Sequence, residues 1–318
     1  MCLVTFSKES EYTALAKVAS TQRPSFACVA VCDDCSHRCP WCYVGSSRGL
    51  RGRMSLEDYS TVLRKVREMG VLQLSLTGGE PTEHPDFRRM VERARQEGFL
   101  LHVMSHGERI DRDLTEFLKA QKVSQVQINW QGRRFHDAMH GRGGSGAKAE
   151  TALRLLVAAG LETTATVTVG DYNSPYLEEI LGEAAALGVG RLRVWDATGY
   201  GSSYSRGIDV PATFERCRKA AASLGYRHCL SFDPDFPGDA GVPCMQLSDL
   251  FMYIDPRGKL AVCNTAPDIV VVADFLDPTA SAEDIRRAYL AKNRELLGAR
   301  RPYCIGRERA TKDVPAAS

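Results

Sequence analysis

The chain has 318 residues, 44% of them hydrophobic and 25% charged, a composition that supports a globular core and excludes a disordered chain. Its 41 Lys and Arg against 39 Asp and Glu give a formal charge of +2, too small to attract nucleic acid or an anionic membrane. The longest apolar stretches, such as 269–273, fall far short of the roughly 20 residues that span a bilayer. These properties predict a globular protein with neither a nucleic-acid nor a membrane partner.

The cysteine content indicates a reducing compartment. Eleven cysteines are an odd number for a disulfide framework, and the chain starts without the charged-then-apolar pattern of a secretory signal. We therefore expect a cytoplasmic protein.

After an extension of 24 residues, the run 26–31 is apolar and predicts a buried strand. The segment Cys35-Ser-His-Arg-Cys39-Pro-Trp-Cys42 follows on a loop at the C-terminal end of this strand, where α/β enzymes place their chemistry. Three thiolates at this spacing can hold three irons of a [4Fe–4S] cluster and leave the fourth iron open to a substrate or cofactor.

Zinc is the alternative for this segment, since Cys32 precedes it and would complete a set of four sulfur ligands. Structural zinc sites usually separate their two ligand pairs by a dozen or more residues, whereas three residues lie between Cys35 and Cys39. The spacing favours a working cluster, with Cys32 at the end of the strand. The zinc interpretation would make the chain a zinc-stabilised binding module.

The remainder of the first 225 residues alternates between helix and strand patterns. Ser55-Leu-Glu-Asp58 resembles a capping box and begins a helix that Gly70 ends. Six strand-then-helix units imply a parallel sheet with right-handed crossovers, and six are too few to close an eight-stranded barrel. We predict an α/β fold, a partial (βα)6 TIM-like barrel over 25–225 whose mouth is lined by strand C-termini. The later strands are predicted at 72–76, 100–104, 125–129, 162–169 and 191–195, and the later helices at 86–97, 113–121, 147–159, 175–187 and 211–224.

The pattern changes at about residue 226. Two apolar segments, 251–255 and 259–263, flank a Pro-Arg-Gly turn and predict a hairpin, and a helix over about 282–297 follows. This predicts a small C-terminal α+β domain over 226–318, too short to be robust without a metal or the support of the first domain.

Several motifs resemble those of the radical S-adenosylmethionine (radical SAM) enzymes. The cysteine segment, with Trp41 before its last cysteine, is similar to the cluster loop of that family. Thr77-Gly-Gly-Glu-Pro81, after the second strand, is similar to the motif that receives the SAM amino group. Further similarity, to the branch with a C-terminal SPASM or twitch domain, is carried by 126–132, His136-Asp137, Arg142-Gly143 and Asn173.

The resemblance implies that SAM binds the open iron and is cleaved reductively to a 5′-deoxyadenosyl radical, which abstracts a hydrogen atom from the substrate. It also implies a flavodoxin- or ferredoxin-type electron donor. Gly78 and Gly79 would let the backbone approach a ligand, and Glu80 would supply a negative charge suited to an ammonium. The residues expected to bind the cofactor are Trp41, Gly78, Gly79, Glu80, Pro81, Asn129 and Arg142.

The fourth strand departs from the family pattern, because Asn129-Trp130-Gln131-Gly132 stands where Ser-Leu-Asp-Gly is usual. Asn129 can still offer hydrogen bonds to SAM, whereas the neutral Gln131 puts an acid–base role in doubt and indicates a different substrate. Trp130 is expected in the core. Arg142 is expected to pair with the SAM carboxylate. The residues expected to face the substrate are Gln131, Trp195 and Asp196.

Cys244, Cys263 and Cys304 resemble the cysteines of a twitch domain that binds one auxiliary [4Fe–4S] cluster. Such domains usually end with a close cysteine pair, and here Arg307 stands where the second cysteine would be. Three explanations stay open: an open iron that binds substrate, a ligand such as Cys229 or Arg307, or a lost cluster whose cysteines remain buried.

We therefore predict a radical SAM oxidoreductase or maturase that oxidises a small specialised metabolite. Peptide-modifying members often carry a leader-binding domain, and the 24 residues before the first predicted strand are too few to form one. Modification of a ribosomally made peptide is the alternative substrate class. A redox-neutral dehydration, epimerisation or rearrangement is the alternative chemistry.

Overall fold

The computed structural model describes residues 3–7, 24–42, 52–196, 208–231, 251–261 and 271–298. Its strands are β1 (Leu3–Ser7), β2 (Phe26–Ala30), β3 (Gln73–Thr77), β4 (Leu100–Ser105), β5 (Gln125–Asn129), β6 (Thr163–Val169), β7 (Arg191–Asp196), β8 (His228–Ser231), β9 (Phe251–Ile254), β10 (Lys259–Ala261) and β11 (Val271–Asp274). They form one sheet in the order β11-β10-β9-β2-β3-β4-β5-β6-β7-β1-β8.

The helices follow the strands along the chain and confirm the α/β fold. The strands from β2 to β7 are parallel neighbours, and each precedes a helix, which gives the six predicted units. In the described part of the chain, none of the helices combines the length and the apolar character of a membrane crossing. The helices are α1 (Leu56–Glu68), α2 (Phe87–Gln96), α3 (Arg112–Ala120), α4 (His136–His140), α5 (Ser145–Ala158), α6 (Leu177–Ala186), α7 (Val210–Ser223) and α8 (Ala282–Gly298).

Side-chain caps fix the start of several helices. The Ser55 hydroxyl accepts a hydrogen bond from the Asp58 backbone N–H at 3.0 Å, which confirms the first half of the predicted capping box. Asp111 caps α3 in the same way through the Leu114 N–H at 2.8 Å. These oxygens satisfy N–H groups that have no partner inside the helix.

Alternate residues of the parallel strands point to two different faces. One face is apolar and packs against the helices, where it forms the main core through residues such as Val29, Leu76, Val103, Ile128, Val167 and Val194. The other face, called the inner face below, is polar over much of its area. It carries Ser75, His102, Gln127, Thr166 and Arg193. Strands covered by helices on both faces are usually apolar throughout, so the polar alternation indicates a face that serves a ligand.

Additional strands extend the sheet at both ends. The N-terminal extension, whose structure the sequence left open, contributes β1, which pairs antiparallel with β7 and β8. At the other end β9 pairs with β2 in parallel, so the sheet is continuous across the boundary predicted at 225/226. That boundary stays a prediction. Because β8 and β11 lie at opposite ends of the strand order, the described sheet is open, as the partial barrel requires.

Candidate active site

The cysteine segment leaves β2 at its C-terminal end. Cys35, Cys39 and Cys42 are free thiols, and each is partly exposed. Burial is the main cause that raises the pKa of the Cys35 and Cys39 thiols, and the neighbouring Cys42 sulfur raises both further. The His37 backbone N–H donates to Cys35 Sγ at 3.4 Å. The loop thus brings three sulfurs within electrostatic reach of one another.

The two glycines of the Gly-Gly-Glu-Pro motif pack against this loop. The Gly79 N–H donates to the Cys32 carbonyl at 2.7 Å, and the Glu80 N–H donates to the Asp34 carbonyl at 2.8 Å. A Cβ on Gly78 would lie 2.3 Å from the Cys32 oxygen, and one on Gly79 would lie 2.0 Å from the Asp34 oxygen. The glycines therefore let two stretches of protein backbone approach each other closely. The sequence analysis expected these glycines to let the backbone approach a ligand.

The Glu80 carboxylate is buried and accepts several hydrogen bonds within the protein. Its Oε1 accepts from the Thr82 N–H at 3.1 Å, from the Thr82 hydroxyl at 2.5 Å and from the Ser105 hydroxyl at 2.8 Å. Its Oε2 accepts from the His106 N–H at 2.8 Å. The carboxylate thus joins the C-terminal ends of β3 and β4, and in this arrangement it is occupied rather than open to an ammonium.

Replacing Glu80 with glutamine should destabilise the protein by about 2–4 kcal/mol. The amide nitrogen would place a donor against donors that are already buried, and each unsatisfied group costs about 1–3 kcal/mol. The melting temperature of Glu80→Gln, measured against wild type, tests this. Glu116→Gln, at an exposed position on α3, is the matched control and should melt as wild type does. Equal melting temperatures for all three proteins would contradict the role given to Glu80.

Four of the seven histidines lie around the cysteine loop, and all four are buried. The rings of His37 and His106 stack with centroids 3.8 Å apart, and those of His136 and His140 stack at 4.2 Å. The two stacks meet where His37 Nδ1 lies 2.9 Å from His140 Nδ1. Burial lowers the pKa of His37 and His140, which favours their neutral forms.

His106 faces two carboxylates. Its Nδ1 accepts a hydrogen bond from the Glu108 N–H at 3.2 Å, so its Nε2–H is directed to Glu80 and Glu83, each at 3.4 Å. Burial alone would lower the pKa of His106, but these two carboxylates outweigh it and raise the pKa. Burial would likewise raise the pKa of Glu83, while hydrogen bonds from His106 and Ser36 lower it to about 2.

Glu108 connects Arg142 to this group of histidines. Its Oε1 accepts from Arg142 Nε at 2.6 Å and from His37 Nε2 at 3.1 Å, and its Oε2 accepts from Lys148 Nζ at 3.1 Å. Burial would raise the pKa of Glu108, but these three donors lower it to about 2. Arg142, expected to pair with a SAM carboxylate, pairs with a carboxylate of the protein through its Nε.

The three cysteines of the loop fit a cluster better than a single ion. The Cys32 thiol is buried and donates to the Glu80 carbonyl at 3.4 Å, so it does not join the other three sulfurs. Ligands of one tetrahedral ion lie within about 4 Å of one another. In the described ranges, the trio whose ligand atoms all lie within 4.8 Å is His37, Cys39 and His140, not the three cysteines. Thiolates that bind different irons of a cluster are spread more widely.

The other residues expected at the cofactor lie near the loop or at strand ends. Trp41 packs against Met139 beside the partly buried Cys39. Pro81 begins a short 3-10 turn, Pro81–Glu83, and is buried. Asn129 ends β5, opposite Thr166 of β6, and is partly exposed. Their contacts with a cofactor stay predictions.

The residues expected to face the substrate occupy different environments. Gln131 is fully buried, and its Oε1 accepts from the Thr168 N–H at 3.1 Å, while its Nε2 has no partner among the described residues. Trp130 is fully buried in the core, as expected. Trp195 lies opposite Thr168 in the β6–β7 pair, and its buried Nε1 has no partner among the described residues. Asp196 ends β7, and its side chain lies outside the described residues.

The auxiliary-cluster residues Cys244, Cys263 and Cys304 lie outside the described residues, and so does Arg307. The backbone of Cys229 lies in β8, and its side chain is outside the description. The auxiliary cluster therefore stays a prediction.

Sequence analysis missed four side chains that surround the loop: His37, His106, His140 and Glu108. They come from three separate segments, and no spacing in the sequence relates these segments to one another. The available signal was the position of His106 and Glu108 just after β4, because the C-terminal ends of parallel strands meet at one edge of the sheet.

Comparison with known proteins agrees with this geometry. Residues 29–184 match the family model described as the Radical SAM superfamily. The "PqqA peptide cyclase" of Gluconobacter oxydans is 27% identical over 75% of this chain and 70% of its own length. The protein of the same name from Rhodopseudomonas palustris is 29% identical over 82% of this chain and 72% of its own length.

Two solved structures show the same fold. Streptococcus suis SuiB, bound to precursor peptide SuiA, superposes with a TM-score of 0.63 at 14% identity, over 81% of this chain and 64% of SuiB. The protein anSMEcpe, with bound AdoMet and the Cp18Cys peptide, has a TM-score of 0.63 at 14% identity, over 85% of this chain and 82% of its own. The chain thus spans less than two thirds of SuiB. The motifs, the fold and the matched family model agree that residues 29–184 carry a domain of the Radical SAM superfamily.

Proposed function

We propose that this radical SAM enzyme oxidises a peptide. The observation that carries the proposal is the similarity to curated peptide cyclases over three quarters of the chain. The small metabolite that the sequence favoured has weaker support, because the argument for it depended on the short segment before the first predicted strand. The peptide was the alternative prediction, and the comparisons favour it.

The three cysteines of the loop would hold the [4Fe–4S] cluster, since they are free and partly exposed on the loop that follows β2. When bound, the cluster and SAM supply a 5′-deoxyadenosyl radical that abstracts a hydrogen atom from the substrate. The contacts of Gly79 and Glu80 with the loop hold the SAM-binding motif against the cluster-binding segment. Glu80 fixes the strand ends below it.

The inner face offers hydrogen-bonding groups suited to the polar backbone of a peptide. Asn129, Thr166 and Arg193 stand in register across β5, β6 and β7. The Thr166 hydroxyl and Trp195 Nε1 are buried and have no partner among the described residues. Buried polar groups normally have a partner, so a bound peptide or ordered water would satisfy these two.

Of three further parts of the proposal, the electron donor and the auxiliary cluster follow from the resemblance, and the compartment follows from the cysteine content. The electron comes from a flavodoxin- or ferredoxin-type donor, the enzyme works in the cytoplasm, and residues 226–318 hold an auxiliary [4Fe–4S] cluster. Iron and sulfide analysis of anaerobically purified protein tests the last of these: about eight irons per chain supports two clusters, and about four contradicts the auxiliary one.

The substrate class is tested with reconstituted enzyme, SAM and dithionite. We expect ribosomally made precursor peptides encoded beside the gene to stimulate 5′-deoxyadenosine release at least about tenfold, a barrier change near 1.4 kcal/mol. The product should be lighter by two hydrogen atoms. Aminosugars and nucleosides are the comparison set, and stimulation by these alone would overturn the peptide proposal. A product of unchanged mass would overturn the oxidation.

A further inference from the structure

The side chain of His140 lies between the cysteine loop and the rest of the histidine group. Its Nδ1 is 2.9 Å from His37 Nδ1 and 3.4 Å from Cys39 Sγ. The ring also meets Trp41 edge-on, with centroids 5.7 Å apart, and stacks on His136. One ring nitrogen of a fully packed histidine therefore faces the sulfur of an expected cluster ligand.

The hydrogen bonds of the neighbours determine which nitrogen of His140 carries the proton. Glu108 accepts from His37 Nε2, so the neutral His37 ring has its proton on Nε2 and a lone pair on Nδ1. His140 Nδ1 lies 2.9 Å from this lone pair, and a hydrogen bond between the two nitrogens needs one proton. The proton of His140 must therefore lie on its Nδ1. A proton on His140 Nε2 would instead be a buried donor with no partner among the described residues. Both arguments assign the same tautomer.

We propose that His140 is a positioning residue whose single Nδ1–H is shared between His37 Nδ1 and the Cys39 sulfur, and that Glu108 and His37 hold it in that tautomer. The inference rests on the proposed function, because it concerns the cluster that Cys39 would help to hold. The three residues form a relay from a charged carboxylate to a cluster ligand. Such outer contacts orient a ligand and tune the metal group that it binds.

The relay should raise the reduction potential of the cluster. A hydrogen bond to a cysteine sulfur stabilises the more negative, reduced form more than the oxidised form, and hydrogen bonds to sulfur are among the factors that set the potential of an iron–sulfur cluster. The His37 backbone N–H makes a similar contact with Cys35 Sγ. That contact belongs to the backbone, whereas the His140 contact can be removed by one substitution.

The test is the midpoint potential of the cluster in reconstituted enzyme, from a potentiometric titration followed by EPR. We expect His140→Leu, which removes the donor, to shift the potential to a more negative value. His140→Asn keeps an N–H near the position of Nδ1 and should restore the potential toward that of wild type. An unchanged potential in His140→Leu, or an equal shift in both variants, would overturn the proposal.

Controls separate this inference from general loss of structure and from the proposed function. His102→Leu removes a partly buried histidine that bonds to Gln73 and should leave the potential unchanged. Only samples with the iron content of wild type are compared. If His140→Leu does not bind iron, Glu108→Leu is measured in its place, because it removes the acceptor that fixes the His37 tautomer and leaves every expected cluster ligand unchanged. An unchanged potential in Glu108→Leu overturns the relay.

The titration needs no peptide, so it stands even if the substrate class is wrong. The same samples are analysed for zinc. If the wild-type protein holds one zinc per chain and His140→Leu does not, then His37, Cys39 and His140 bind a single ion. That result would overturn the proposal.

Discussion

Replacing Cys39 with alanine should abolish the reductive cleavage of SAM, with 5′-deoxyadenosine release falling at least about a hundredfold. Loss of an outer contact to a metal ligand already costs 10–100-fold, and this substitution removes a ligand itself. The triple variant Cys35→Ala, Cys39→Ala, Cys42→Ala should in addition lose about four irons per chain. Iron content, sulfide content and the EPR change that SAM produces in the reduced protein measure these losses.

The matched control is Cys217→Ala. Cys217 is also a free cysteine, but it is buried on α7, and burial raises its pKa to about 12, as for a core residue. This variant should keep both the iron and the SAM-dependent EPR change. If Cys39→Ala retained 5′-deoxyadenosine release at the level of Cys217→Ala, the cluster loop would be wrongly assigned. Loss of zinc rather than iron from the triple variant would favour the binding module.

The main elements of the fold were predictable because each carries a local signal. The helix α1 has a capping residue, a helical apolar period and a final glycine, and the strands from β2 to β7 are short runs, either apolar or alternating apolar with polar, of the right length. The strands β1, β8 and β11 were missed. They are short and lie at or next to the ends of the sheet, where pairing with a neighbour rather than sequence pattern decides their conformation.

The site was only partly predictable, and the difference lies in sequence separation. Cys35, Cys39 and Cys42 are close in the sequence, so their spacing indicates their chemistry directly. The contact between His140 and Cys39 joins residues 101 positions apart, and that between Glu108 and His37 joins residues 71 apart. Such pairs are fixed by the crossovers of the fold. The same applies to Glu80, because its partner Ser105 lies on the next strand.

The contact between the Gly-Gly-Glu-Pro motif and the cysteine loop explains why two distant motifs act together. The motif holds the carbonyls of Cys32 and Asp34 through two backbone hydrogen bonds, and the loop continues directly into Cys35. A shift of the motif therefore displaces the first cluster ligand. Coupling of this kind makes a single added methyl group harmful to both stability and cofactor binding.

Replacing Gly79 with alanine should destabilise the protein by about 3–5 kcal/mol and weaken both iron retention and SAM binding. The new Cβ would lie 2.0 Å from the Asp34 oxygen and 2.5 Å from the Asp33 oxygen, both of them backbone atoms that cannot rotate away. Overpacking costs about 1–3 kcal/mol, and the two hydrogen bonds between motif and loop would contribute about 1 kcal/mol each. Melting temperature, iron per chain and the KM for SAM report the three effects.

The same substitution at Gly182 is the control, because it adds one methyl group where no atom lies within 4 Å. Gly182 lies in α6, where alanine is favoured over glycine by up to about 1 kcal/mol. Gly182→Ala should therefore be as stable as wild type or slightly more so, with unchanged iron content. If Gly79→Ala behaved like Gly182→Ala, the motif and the loop would not be in the contact described, and the coupling between SAM site and cluster site would need another cause.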